Sequence, residues 1–119
     1  MVSPIPDIVL LATEWQPRTL LRAQLLEEGY DTVAFEEWDG AKTYLTSPYK
    51  PPLVVIDLQG LAQVRPILNE LKTLIDPARV LLIGALGAVT DDSSGFQVVR
   101  RPVTIGGIVE AAKACIESR

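Results

Sequence analysis

The sequence predicts an α/β domain built on five parallel strands, and three observations carry that expectation. Ile8-Val9-Leu10-Leu11-Ala12, Leu53-Val54-Val55-Ile56-Asp57 and Val80-Leu81-Leu82-Ile83 are short runs with no polar alternation, the pattern of strands covered on both faces. Apolar residues recur at helical spacing between those runs. Strand-like and helix-like segments also alternate along the chain, and strands joined by crossover segments pair in parallel with helices on both faces of the sheet.

The elements follow in order. After the first strand, Thr13-Glu14-Trp15-Gln16-Pro17 reads as a polar loop, with Pro17 suited to a first helical turn. The first helix carries Leu20, Leu21, Leu25 and Leu26 and stops at Gly29, a left-handed C-cap. Thr32-Val33-Ala34-Phe35 forms a short second strand, and Ala41, Tyr44 and Leu45 a weak second helix ended by Ser47-Pro48. Behind the third strand, Val64, Ile67, Leu68, Leu71, Leu74 and Ile75 predict a strong helix broken by Asp76-Pro77. Residues 85–95, rich in glycine, serine and aspartate, read as a loop, so the fourth helix is expected to be short or missing. Gln97-Val98-Val99-Arg100 is the last strand. Thr104 caps a final helix striped by Ile105, Ile108, Val109, Ala112 and Ile116.

Composition narrows the chemistry. At 119 residues and 48% hydrophobic content, a single domain over 1–119 with one core is expected. The chain has no histidine, which removes imidazole acid–base catalysis, histidine-ligated metals and phosphohistidine relays. Its one cysteine, Cys115, excludes an internal disulfide and reads as a half-buried structural thiol. The net charge of −4 argues against nucleic-acid binding, and no apolar run approaches the ~20 residues of a membrane helix. Met1 to Asp7 has no basic region or apolar leader, so a cytoplasmic location is expected.

In open parallel sheets the ligand site lies at the carboxyl ends of the strands. That points to Ala12 to Trp15, Asp57 to Gly60, Gly84-Ala85 and Arg100-Arg101-Pro102. On residue chemistry alone, Asp57 is a strand-end carboxylate suited to capping the next turn.

The ordered set of a polar loop after strand one, a helix ending in Gly29-Tyr30, the Leu53–Asp57 strand and Arg101-Pro102 before the last helix resembles the receiver domain of bacterial response regulators. The resemblance implies a flavodoxin-like fold with strand order 2-1-3-4-5. It makes Asp57 the equivalent of the phosphoacceptor aspartate. The residues around it depart from the family's pattern. Ala12 and Thr13 stand where two acidic residues hold Mg²⁺, Gly84 where a hydroxyl residue takes the phosphoryl oxygen, and Arg101 where a lysine pairs with the phosphate. Val98 stands at the aromatic switch position, with Phe96 as a displaced stand-in, and Arg101-Pro102 is expected to be cis.

Mg²⁺ requires near-octahedral oxygen ligation, which Ala12 cannot supply, and Arg101 is suited to lie across Asp57 as a fixed ion pair. The expectation is therefore a non-enzymatic pseudo-receiver with no cofactor and no metal, acting through protein contacts. Trp15, Trp38 and Leu58 are its candidate contact surface, because tryptophan concentrates at binding hot spots. The competing reading is that the two tryptophans staple loops to helices. The expected partner is a histidine kinase, an output domain or another receiver, with homodimerisation through the last helix as one form. Two alternatives stand beside it. One is a phosphorylatable receiver binding Mg²⁺ with Glu14 or Gln59 as substitute ligands. The other is a flavodoxin-like small-ligand binder, which the lack of a glycine-rich phosphate loop disfavours.

Overall fold

The computed structural model describes residues 5–84 and 95–118. Its elements are β1 (Ile8–Ala12), α1 (Trp15–Glu27), β2 (Thr32–Phe35), α2 (Trp38–Thr43), β3 (Leu53–Asp57), α3 (Val64–Leu74), a 3₁₀ turn (Pro77–Arg79), β4 (Val80–Gly84), β5 (Gln97–Arg100) and α4 (Ile105–Glu117). The strands pair in parallel in the order β2-β1-β3-β4-β5, as expected.

Central strands lose both faces to helices, and β1, β3 and β4 are buried along their whole length. Their two-residue period splits the interior into two layers. Val9, Leu11, Val54, Ile56 and Leu82 face α2 and α3, where Ala41, Leu68 and Leu71 meet them. Ile8, Leu10, Val55, Leu81 and Ile83 face α1 and α4, where Leu21, Leu25, Ile108 and Ala112 close the other layer. Each fully buried leucine, such as Leu25 or Leu71, contributes roughly 2 kcal/mol of transfer free energy.

The helix ends follow their local chemistry. Gly29, at φ +93°, ends α1 in a left-handed turn. Its N–H donates to Leu26 O and that of Tyr30 to Leu25 O, which satisfies two terminal carbonyls. Thr104 caps α4 as expected, its hydroxyl accepting the Gly107 N–H at 2.9 Å. The Gly106-Gly107 pair then separates into two cases. A Cβ at Gly107 would stand 2.9 Å from Val103 Cγ2 and 3.2 Å from the capping Thr104 oxygen, so the close approach is within the chain. At Gly106 the nearest such contact is 3.9 Å, and no close neighbour requires glycine there.

Three details differ from the sequence reading. Trp15 and Trp38 are the first residues of α1 and α2, where loops were expected. The second helix begins earlier and ends at Thr43, leaving Tyr44 and Leu45 just beyond it; Leu45 is nevertheless fully buried. Leu58 is 7% exposed and belongs to the α2/α3 layer, so it is a core residue and offers no contact surface. The expectation of a short or missing fourth helix falls on residues 85–94, outside the described residues.

Candidate functional site

Parallel register brings the strand-end residues together. Ala12 on β1 lies beside Asp57 on β3, Asp57 beside Ile83 on β4, and Gly84 beside Arg100 on β5. The two-residue period turns Asp57 to the same side as Leu53 and Val55, toward α1 and α4. Asp57 is 4% exposed, one of two buried polar residues among those described. A carboxylate so placed needs partners for both oxygens.

It has them. Asp57 Oδ1 accepts the Gln59 N–H at 3.0 Å, an Asx-type turn leading out of the strand. Leu61 N–H closes the next turn on Leu58 O, with Gly60 at φ +73°, a conformation glycine adopts without steric cost. Asp57 Oδ2 accepts from Arg101 Nη2 at 2.5 Å. Arg101 is positioned by its own N–H, which donates to Gly84 O at 2.7 Å; the peptide that follows, to Pro102, is cis. Its Nε is buried without a hydrogen-bond partner, so the guanidinium is committed to Asp57 through one nitrogen.

A second guanidinium serves the same end of the sheet. Arg18 Nη1 donates to Ala12 O at 2.8 Å and to Thr13 O at 3.0 Å, tying the end of β1 to α1. The sequence reading passed over Arg18. Its one signal was a cation near the amino end of a helix, where the macrodipole disfavours positive charge, so that a specific contact was needed to hold it.

These observations test the metal that the receiver fold implies. Ala12 is 1% exposed and carries no ligand atom, and both Asp57 oxygens are already engaged. Arg18 and Arg101 add two fixed positive charges at this end. Among the described residues no three carboxylate, thiol or imidazole side chains converge as a metal-holding group. Glu14 is exposed and lies over Gly60, whose Cβ would stand 3.8 Å from Glu14 Cγ. The residues present do not fit Mg²⁺.

Beside Asp57, and not over it, lies a cleft of about 340 Å³. Thr13, Gly60, Leu61, Gln63 and Ile67 form its floor and one wall, and Glu36, Glu37, Trp38 and Asp39 the other. The indole of Trp38 is fixed by Nε1–H donating to Glu70 Oε1 at 2.8 Å, while Lys42 pairs with Glu70 Oε2 at 2.5 Å. These contacts hold the Glu70 carboxyl below its usual pKa, Lys42 contributing most and Trp38 next. Trp38 is thus a half-buried staple between α2 and α3, whereas Trp15 is 68% exposed. Of the expected contact residues, only Trp15 presents a large free surface. The acidic wall also disfavours a phosphate-bearing ligand in this cleft.

Phe96 is 9% exposed and packs in the α2/α3 layer, with Val98 half-buried against the same layer. Cys115, on the inner face of α4, is buried in the α1/α4 layer, where a half-buried thiol was expected.

No protein-family model matches the sequence, and no curated protein matches it. Solved structures do match. The chain superposes on a response regulator receiver domain protein from Clostridium thermocellum with a TM-score of 0.76 at 17% identity, covering 96% of each chain. It matches the receiver domain of NtrX from Brucella abortus at TM-score 0.74 and 23% identity, covering 95% of this chain and all of that one. Against the receiver domain of the hybrid histidine kinase CckA the TM-score is 0.70 at 17% identity, over 92% of this chain and 97% of that chain. The chain therefore has the receiver-domain fold of response regulators, a flavodoxin-like five-stranded parallel sheet.

Proposed function

We propose that residues 1–119 form a single receiver-like signalling domain that does not undergo metal-dependent aspartyl phosphorylation at Asp57 and works through protein contacts. The observation that carries this reading is the Arg101–Asp57 pair. The carboxylate at the phosphoacceptor position is buried, bonded at both oxygens and neutralised by the arginine that replaces the family's lysine. Phosphoryl transfer depends on positioned groups that neutralise charge spreading over the phosphoryl oxygens. Ala12, Thr13 and Gly84 supply neither a metal carboxylate nor, at the end of β4, a hydroxyl. An attacking Asp57 oxygen would first have to leave Arg101 or the Gln59 amide.

In this reading the chain is not an enzyme. Its partner is a protein of the same signalling class, such as a histidine kinase, an output domain or another receiver. A cytoplasmic setting goes with that role, and among the described residues no helix is long and apolar enough to cross a membrane.

The test is a titration of the ¹⁵N-labelled chain with beryllofluoride and Mg²⁺, followed by amide shifts around Asp57, Gln59 and Arg101. The expected result is no saturable change at these positions. Saturable shifts that vanish in Asp57→Asn would establish the alternative, a phosphorylatable receiver.

A further inference from the structure

The two ends of α3 open on grooves of opposite net charge. At the carboxyl ends of the strands, Glu36, Glu37 and Asp39 stand exposed on the wall of the 340 Å³ cleft, and none forms an ion pair among the described residues. The floor beneath them is apolar, with Leu61 and Ile67 contributing. At the amino ends of the strands a second groove, of about 550 Å³, is lined by Lys50, Lys72, Leu74, Ile75 and Arg79. Asp76 is the one carboxylate there, and it is engaged by the Ala78 N–H. Lys72 is exposed and held over the Phe96 ring at 5.5 Å; Lys50 reaches back to Leu45 O.

Both grooves lie on the α2/α3 side of the sheet, because α3 runs from one to the other. Val64 begins the helix next to cleft residue Gln63, and Leu74 ends it in the basic groove. An 11-residue helix is about 16 Å long, so one chain presents an acidic groove and a basic groove on opposite ends of one face. The cleft carries three carboxylates above Leu61 and Ile67, and the groove carries three basic side chains against the single carboxylate of Asp76, so the two are complementary in net charge.

We propose that a second copy of this chain occupies the cleft, the basic groove of one copy meeting the acidic cleft of the next. The contact is heterologous, so both poles remain available at the ends of any pair and association continues head to tail. The net charge of −4 opposes approach at long range, which makes the contact weak, concentration-dependent and sensitive to salt. The inference does not depend on the reading of Asp57.

Sedimentation velocity of the whole chain tests it at about 10 mM and about 1 M salt, where the Debye length is about 30 Å and about 3 Å. The expected result is a weight-average sedimentation coefficient that rises with concentration at low salt and is flat at high salt. Two variants add geometry: Glu36→Gln/Glu37→Gln/Asp39→Asn blocks one pole, and Lys72→Gln/Arg79→Gln blocks the other. Each alone is expected to stay monomeric, and their equimolar mixture to form a dimer and nothing larger, since each supplies the pole the other lacks. A wild-type chain that stays monomeric at low salt overturns the proposal whatever the variants do. So does self-association that survives in either variant or in 1 M salt.

Discussion

Replacing Arg101 by methionine keeps most of the apolar stem and removes the guanidinium from Asp57. The side chain of Asp57 is 5% exposed, and Oδ2 has Arg101 as its partner while Oδ1 keeps the Gln59 amide. Removing one member of a fully buried pair costs about 3–5 kcal/mol, and leaving a buried polar group unsatisfied about 1–3 kcal/mol. The Arg101 side chain is 23% exposed, so water can reach the vacated space and the lower range applies. The expected loss is about 2 kcal/mol, or about 8 °C in Tm for a domain of this size. Asp57→Asn should cost less, about 1 kcal/mol, because the amide still accepts from Gln59 and the freed guanidinium can turn to solvent. The double variant has no charge left to strand and should lose about 1.5 kcal/mol, against about 3 for the summed singles. Urea denaturation of the four proteins closes the cycle. A coupling below about 0.5 kcal/mol would refute the claim that Arg101 is committed to Asp57.

Three further outcomes are expected. Gly106→Ala should stabilise α4 by up to about 1 kcal/mol, whereas Gly107→Ala should destabilise the chain, since its Cβ meets Val103 Cγ2 at 2.9 Å; thermal melts of both distinguish local crowding from helix propensity. Thr104→Ala removes the cap on the Gly107 N–H and should cost about 1 kcal/mol by urea denaturation, with Thr104→Ser restoring most of it. The Glu70 carboxyl is held below its unfolded value of 4.5, so its contribution is fully present above that pH and is lost as pH falls through the lower folded value. In a Trp15→Phe background, Trp38 fluorescence should titrate below pH 4.5, and Glu70→Gln should flatten that titration.

Much of this architecture was legible in the chain because burial writes itself into sequence. The unbroken runs of β1, β3 and β4 are those of strands buried throughout, and the stripe from Val64 to Leu74 is the face α3 lays on the sheet. Gly29 and Thr104 announced the helix ends they occupy. The cis Arg101–Pro102 peptide was expected from the resemblance and is present. Less legible were residues whose role depends on a distant partner. Leu58 looked like a surface leucine in a loop, but the Asx turn at Asp57 folds it back under α3. For Trp38 the chain left a contact surface and a loop staple both open, and Glu70, 32 positions away, holds its indole as a staple.

Sequence by itself determined that this chain makes a parallel α/β sheet with Asp57 at the end of its central strand, because periodicity and strand-end position are local properties. It also determined which ligand atoms Ala12 and Gly84 lack, since a missing side chain needs no coordinates to be known. The pairing of Arg101 with Asp57, 44 residues apart, was expected from the chain and is present, but only the tertiary structure decided which atoms meet and that Arg18 holds the carbonyls of Ala12 and Thr13. Only the tertiary structure, too, placed Glu36, Glu37 and Asp39 at one end of α3 and Lys72 and Arg79 at the other. The physical reason is common to these cases. Charge pairing acts through space at a few ångströms, and only the packing of strands and helices brings such groups within that range or keeps them apart.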